Sequence, residues 1–272
     1  MRIRHSIART AATLPILFGL LGVAPTAPTG PLPPVVPSAS ASAGYGPICW
    51  YGSCFDYVTG RQKTDAGGAS IQMFQASPQL YPGDIESHSL QELAVQSSDQ
   101  KSTVEIGWTV DLGLNGDLRP HLFVYHWVDG QESCYNGCGF VRLSRSVRPG
   151  MAVRTGRSAQ YAIEYLAGDW WVFYNRQAVG YFPGSLWGGT FTRGQTISAF
   201  GEVAHATGVT CEAMGDGVDG SASGSSWIST FQLLDSADPS QLTVTETSPE
   251  LYDSGSVTPT SFHLGGPGNG PC

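Results

Sequence analysis

The chain has 272 residues, with 22 acidic against 14 basic side chains and a formal charge of −8, a length that fits one large all-β domain or two small ones. Lys63 and Lys101 are its only lysines, and so acidic a surface repels nucleic acid and anionic membranes, which excludes both as partners. It suits an enzyme acting in solution as a monomer, and low pH would relieve its self-repulsion.

The first element is an export signal. Arg2, Arg4 and Arg9 precede an apolar run from Ala11 to Val23, and a Pro/Ala/Ser stretch ends in the small-x-small pattern Ala41-Ser42-Ala43. Cleavage is expected near Ala43, giving a signal at 1–43, a short N-terminal segment at 44–66 and one domain at 67–272. Losing three Arg leaves 11 basic against 22 acidic side chains. No later run approaches the length of a membrane span. An exported, extracellular chain with six cysteines reads as three disulfides. Proximity pairs Cys49 with Cys54 and Cys134 with Cys138, which leaves Cys211 for Cys272. Zinc is the competing use of close Cys pairs, and the oxidising compartment argues against it.

Beyond residue 67, short alternating runs separated by Gly and Pro predict strands. In order they are Ala69–Gln75, His88–Gln96, Thr103–Val110, Pro120–Val128, Gln160–Leu166, Trp170–Tyr174, Ala178–Phe182, Thr196–Ala204, Trp227–Leu234 and a weak Leu242–Thr247. Asn175-Arg176-Gln177 predicts a tight hairpin, and Asp129-Gly130 and Asn136-Gly137 further turns. The polar region after Asp235 is expected to wrap the surface. Strands with one apolar face each bury it most economically as an all-β antiparallel sandwich of two bent sheets.

Two of these strands carry isolated carboxylates. Val104, Ile106, Trp108 and Val110 share one face, leaving Glu105 beside Thr103, Gly107 and Thr109 on the other. Glu202 shares a face with Ser198, Phe200 and Ala204. Paired carboxylates perform acid/base chemistry when their surroundings separate their pKa values. Two ordinary strand glutamates, a two-Glu glycoside hydrolase or a catalytically silent carbohydrate- or protein-binding sandwich also fit this pattern. There is no Gly-x-Ser-x-Gly elbow and no His-Glu-x-x-His, so neither a serine triad nor a metal site is expected. His88, His121, His126, His205 and His263 are scattered. His126 and His205 lie nearest the two strands and are candidate partners for the carboxylates, although satisfied core histidines are the simpler reading. Asp117 and Asp129 read as turn residues. Of the rings, Trp108, Tyr125, Trp127, Tyr135, Trp171 and Tyr174 are candidates to line a substrate face, with core packing the alternative.

A succession of blocks resembles the neprosin-like family of secreted peptidases, in a short, bacterial-type form. They are Gly68-Ala69-Ser70-Ile71, Ser87-His88-Ser89-Leu90, Val104-Glu105-Ile106-Gly107-Trp108, Gly116-Asp117 with Leu122-Phe123-Val124-Tyr125, and Cys134-Tyr135-Asn136-Gly137-Cys138-Gly139-Phe140-Val141. They continue with Trp170-Trp171-Val172-Phe173, Val179-Gly180-Tyr181-Phe182-Pro183, Gly201-Glu202-Val203 and Met214-Gly215-Asp216-Gly217. The resemblance implies a glutamic peptidase whose catalytic pair is Glu105 and Glu202, acting at acidic pH without a metal or other cofactor. It also implies polypeptide substrates cleaved after proline, proline-rich proteins among them. The cysteine block is one residue shorter than the family's usual spacing, and Phe200-Gly201 stands where Gly-Gly is common. The short run before Gly68 leads us to expect no long autoinhibitory domain ahead of it.

Overall fold

The structure is a computed structural model that describes residues 46–50, 52–81, 83, 85–206 and 210–270. The expected export signal, residues 1–43, lies outside the described residues. Sixteen strands are present among the described residues. The first eight are β1 (Ile48–Trp50), β2 (Ser53–Ala66), β3 (Gly68–Gln75), β4 (His88–Gln96), β5 (Thr103–Asp111), β6 (His121–Val128), β7 (Gln131–Glu132) and β8 (Val141–Arg142). The others are β9 (Arg157–Leu166), β10 (Asp169–Tyr174), β11 (Gln177–Pro183), β12 (Gly194–Ala206), β13 (Ser226–Leu234), β14 (Thr243–Glu246), β15 (Asp253–Thr258) and β16 (Ser261–Gly265).

They form two antiparallel eight-stranded sheets. The first runs β1-β2-β12-β4-β5-β6-β7, with β14 also paired to β2, and the second β15-β16-β13-β3-β9-β10-β11-β8. The alternation on β5 explains the packing. Val104, Ile106, Trp108 and Val110 are all fully buried and meet Ile71, Met73, Tyr161, Ile163, Trp170 and Val172 of the second sheet in one core. Burying each such side chain contributes ~1.5–3 kcal/mol. Two-residue turns at Asp129-Gly130 and Asn175-Arg176 have positive φ at all four positions, the geometry that matches the twist of a tight hairpin.

Two regions differ from the expectation. Ser53–Ala66, expected to precede the domain, is a long strand paired to β12 from Ser53↔Ala206 to Ala66↔Gly194. Its run Arg61-Gln62-Lys63-Thr64-Asp65 hides the strand in sequence, because polar residues occupy both faces at the open end of the sheet. The region after Asp235 does not merely wrap the surface. β15 and β16 extend the second sheet, and Phe262 and Leu264 are fully buried. Gly60 makes room for Phe262: a Cβ there would lie 2.6 Å from its ring. Disulfides join Cys49 to Cys54 across the β1–β2 hairpin and Cys134 to Cys138. Cys211 is also disulfide-bonded, and its expected partner, Cys272, lies outside the described residues.

Candidate active site

The pairing of β12, β4, β5 and β6 fixes what faces what on the side of the first sheet turned away from the core. Glu202 lies in a row with Leu90, Thr109 and His121. The next row holds Phe200, Glu92, Gly107 and Phe123, and the one after it Ser198, Ala94, Glu105 and Tyr125. Glu202, Glu92 and Glu105 therefore step diagonally across three adjacent strands. Each step is one strand over and two residues along, about 7–8 Å between backbones in an antiparallel sheet.

The three carboxyl groups have different surroundings. Glu202 Oε1 lies 2.7 Å from His88 Nε2, which projects from the same face one row beyond it. Burial works against a charge on His88, but the bond to Glu202, the Glu202 charge and that of Asp111 outweigh it, and the imidazole pKa is raised. Tyr57 stands directly opposite Glu202 on β2, where burial and then the Glu202 charge and hydrogen bond raise its hydroxyl well above the usual value. Glu202 is thus met by a cation and a hydroxyl donor. Glu105 has no cation. Burial and the Glu202 charge push its carboxyl up to about 8, against the opposing effect of Trp127 Nε1, which donates to Oε1 at 3.1 Å. Glu92 is 3 % exposed, and burial, then Glu105, then Glu202 raise it well above the carboxylate range.

Rings enclose this row of acids. Leu90, Phe123 and Tyr125 form a small apolar cluster outside the main core, with Trp127, Tyr135 and Phe200 packed against it. Tyr135 lies 5.5 Å from Phe123 and 4.8 Å from Tyr125, and its hydroxyl feels Glu202, Glu92 and Glu105 after burial itself. Phe200 meets Tyr57 edge-on at 5.7 Å. Gly107 lets the cluster close, since a Cβ there would sit 2.7 Å from Glu92 Cβ and 2.8 Å from the Phe123 ring.

Of the expected ring residues, Tyr125, Trp127 and Tyr135 gather around the acids. Trp108 does not. It lies on the core face of β5, fully buried, with its indole donating to the Phe74 carbonyl, because strand alternation puts it opposite in phase to Glu105. Trp171 is on β10 of the second sheet, stacked on Tyr181 at 5.0 Å, and Tyr174 of the same strand donates to Gln75. The expected histidines are also elsewhere. His126 is on the core face of β6 against Phe182 and Trp187, and His205 pairs with the buried Asp56. The structure substitutes His88, Tyr57 and Glu92. Of these, Glu92 was legible in the alternation of His88–Gln96, whereas Tyr57 needed the β2–β12 pairing. Among the described residues, no three His, Cys, Asp or Glu side chains converge as metal ligands.

A family model described as Neprosin matches residues 85–267. Among solved structures, scytalido-glutamic peptidase with a transition state analog inhibitor is 10% identical, with 78% of this chain and 97% of that one covered at a TM-score of 0.48. CG-16, a homodimeric agglutinin from chicken liver, is 15% identical over 57% of this chain and 96% of its own, with a TM-score of 0.33. The Bacillus licheniformis beta-glucanase is 13% identical over 63% of this chain and 79% of its own, with a TM-score of 0.34.

Proposed function

The chain belongs to the neprosin family, and from that premise we propose that it is a secreted glutamic endopeptidase in which Glu105 and Glu202 activate water between them. The observation that carries this reading is the opposed electrostatics of two glutamates on one face of one sheet. Glu202 is paired with His88, and Glu105 retains its proton up to about pH 8. Such a pair offers a base and an acid at the same pH.

Glu202 takes a proton from water as the water oxygen bonds to the carbonyl carbon of the scissile peptide, whose oxygen becomes an oxyanion. When the carbonyl re-forms, the C–N bond breaks and Glu105 gives its proton to the leaving nitrogen. The products are a carboxylic acid and an amine. Glu202 is left protonated and Glu105 ionised, and proton exchange with solvent restores both. Activity belongs on the acidic to neutral side and falls as Glu105 loses its proton near pH 8. The rings of Tyr125, Trp127 and Tyr135 offer an apolar wall suited to the pyrrolidine of proline, which supports cleavage after proline.

Glu105→Gln and Glu202→Gln should each remove nearly all turnover of a proline-containing peptide while the fold persists, and the double variant should be little worse than either. Full activity in either single variant refutes the pair. Release of sugar from a glycan panel, with no peptide cleavage, would refute the peptidase.

A further inference from the structure

Glu92 is the acidic side chain of the cleft to which the catalytic pair assigns no work. Its position is set by three strands. It projects from β4 between Phe200 and Gly107, one diagonal step from Glu202 on β12 and one from Glu105 on β5. It is also the most enclosed of the three, 3 % exposed, and among the described residues no hydrogen bond reaches its carboxyl group. Neither of its oxygens is among the sealed-off polar atoms that lack a partner, so the carboxyl group keeps an opening to the cleft, and a fold that needed only volume there would hold a leucine. Acidic groups crowd it: Glu105, Glu202, Tyr57 and Tyr135 face it from the neighbouring elements, while of the cations on this face His88 is bonded to Glu202 and Arg61 Nε donates to Ser198 Oγ at 3.2 Å. Glu92 is therefore a neutral O–H donor held in the floor of the cleft.

We propose that the Glu92 carboxylic acid donates a hydrogen bond to the carbonyl oxygen of the scissile peptide as that oxygen becomes an oxyanion, making Glu92 a third catalytic residue. This rests on the peptidase reading above. If Glu202 delivers water from one end of the diagonal and Glu105 protonates the leaving nitrogen from the other, the reacting carbonyl lies over the middle position. A fixed donor aimed at a developing oxyanion in a water-poor site typically accelerates the step ~10²–10³-fold. A neutral carboxylic acid fills that role where its surroundings keep it protonated. No proton leaves Glu92, so it needs neither resetting nor a co-reactant.

The test compares Glu92→Gln, which keeps a donor, with Glu92→Met, which keeps length and burial without one. Both are assayed on a quenched-fluorescent proline-containing peptide, with Glu105→Gln and Glu202→Gln as controls and circular dichroism to confirm folding. Glu92→Gln should keep kcat within about tenfold of wild type, and Glu92→Met should lose ~10²–10³ in kcat with KM little changed. Wild-type kcat in Glu92→Met overturns the proposal. So does Glu92→Gln as inactive as Glu92→Met, which would mean that a proton is transferred rather than shared. Active Glu105→Gln or Glu202→Gln would instead show that the catalytic pair itself is misassigned.

Discussion

Glu105→Gln should make the protein more stable at neutral pH while abolishing its activity. Burial and the Glu202 charge raise the folded Glu105 carboxyl from 4.5 to about 8. An acid raised by folding contributes its full share of stability below about pH 4.5 and loses it as pH climbs to about 8. At about pH 7 the unfolded chain carries this group ionised and the folded chain carries it protonated. At about 1.36 kcal/mol per pH unit between those values, the native state forgoes about 3 kcal/mol, and solvent screening in the half-open cleft trims this to about 2–3 kcal/mol. Glutamine is isosteric, never ionises and still accepts from Trp127 Nε1. The variant should melt roughly 5–10 °C higher at pH 7, with the advantage vanishing near pH 4. Calorimetry of both proteins at several pH values reads this directly, and the difference between them cancels the titrating groups that do not interact with Glu105. A variant no more stable than wild type at pH 7, with a difference that does not change towards pH 4, would refute the assignment of Glu105 as the protonated partner.

Three further perturbations test the frame of the site. His205 donates from Nδ1 to the Ala206 carbonyl at 2.6 Å and from Nε2 to Asp56 at 3.0 Å, which requires a protonated ring; burial works against that charge, and the two hydrogen bonds and Asp56 prevail. A histidine raised by folding stabilises fully below about pH 6.5 and loses that effect as pH rises through its folded value, so the stability lost in His205→Gln, about 1–3 kcal/mol at pH 5–6, should shrink by pH 9 in urea titrations. Gly107→Ala places a Cβ 2.2 Å from the Gln91 carbonyl oxygen and forces β4 from β5. It should cost at least about 1–3 kcal/mol and depress kcat, and wild-type values of both would show that β4 and β5 need not approach so closely. Phe262→Ala empties a fully buried site against Gly60; a loss of about 3–5 kcal/mol on chemical denaturation is expected, and a loss near zero would mean that the C-terminal strands are not part of the core.

By itself the sequence determined the strands whose burial repeats every second residue. Val104, Ile106, Trp108 and Val110 set the core phase of β5 and so turned Glu105 outward, and Glu202 followed from the phase of β12. The tight turns at Asp129-Gly130 and Asn175-Arg176 were equally legible, because positive φ at both central residues favours Gly and Asn. Tertiary structure decided the rest. β2 carries charge on both faces and reads as loop until its full-length pairing with β12 is known, and that pairing alone sets Tyr57 opposite Glu202. β16 is too short to declare itself, yet Phe262 is buried because Gly60, some two hundred residues earlier, leaves space for it. Local patterns revealed which face of a strand a residue occupies, whereas its neighbours across the sheet depend on strand order and register. That is why Trp171 was expected near the carboxylates and Tyr57 and His88 were not: hydrogen-bonded ladders between segments far apart in the chain bring one set together and keep the other apart, whereas Trp108 is held away by the alternation of β5 itself.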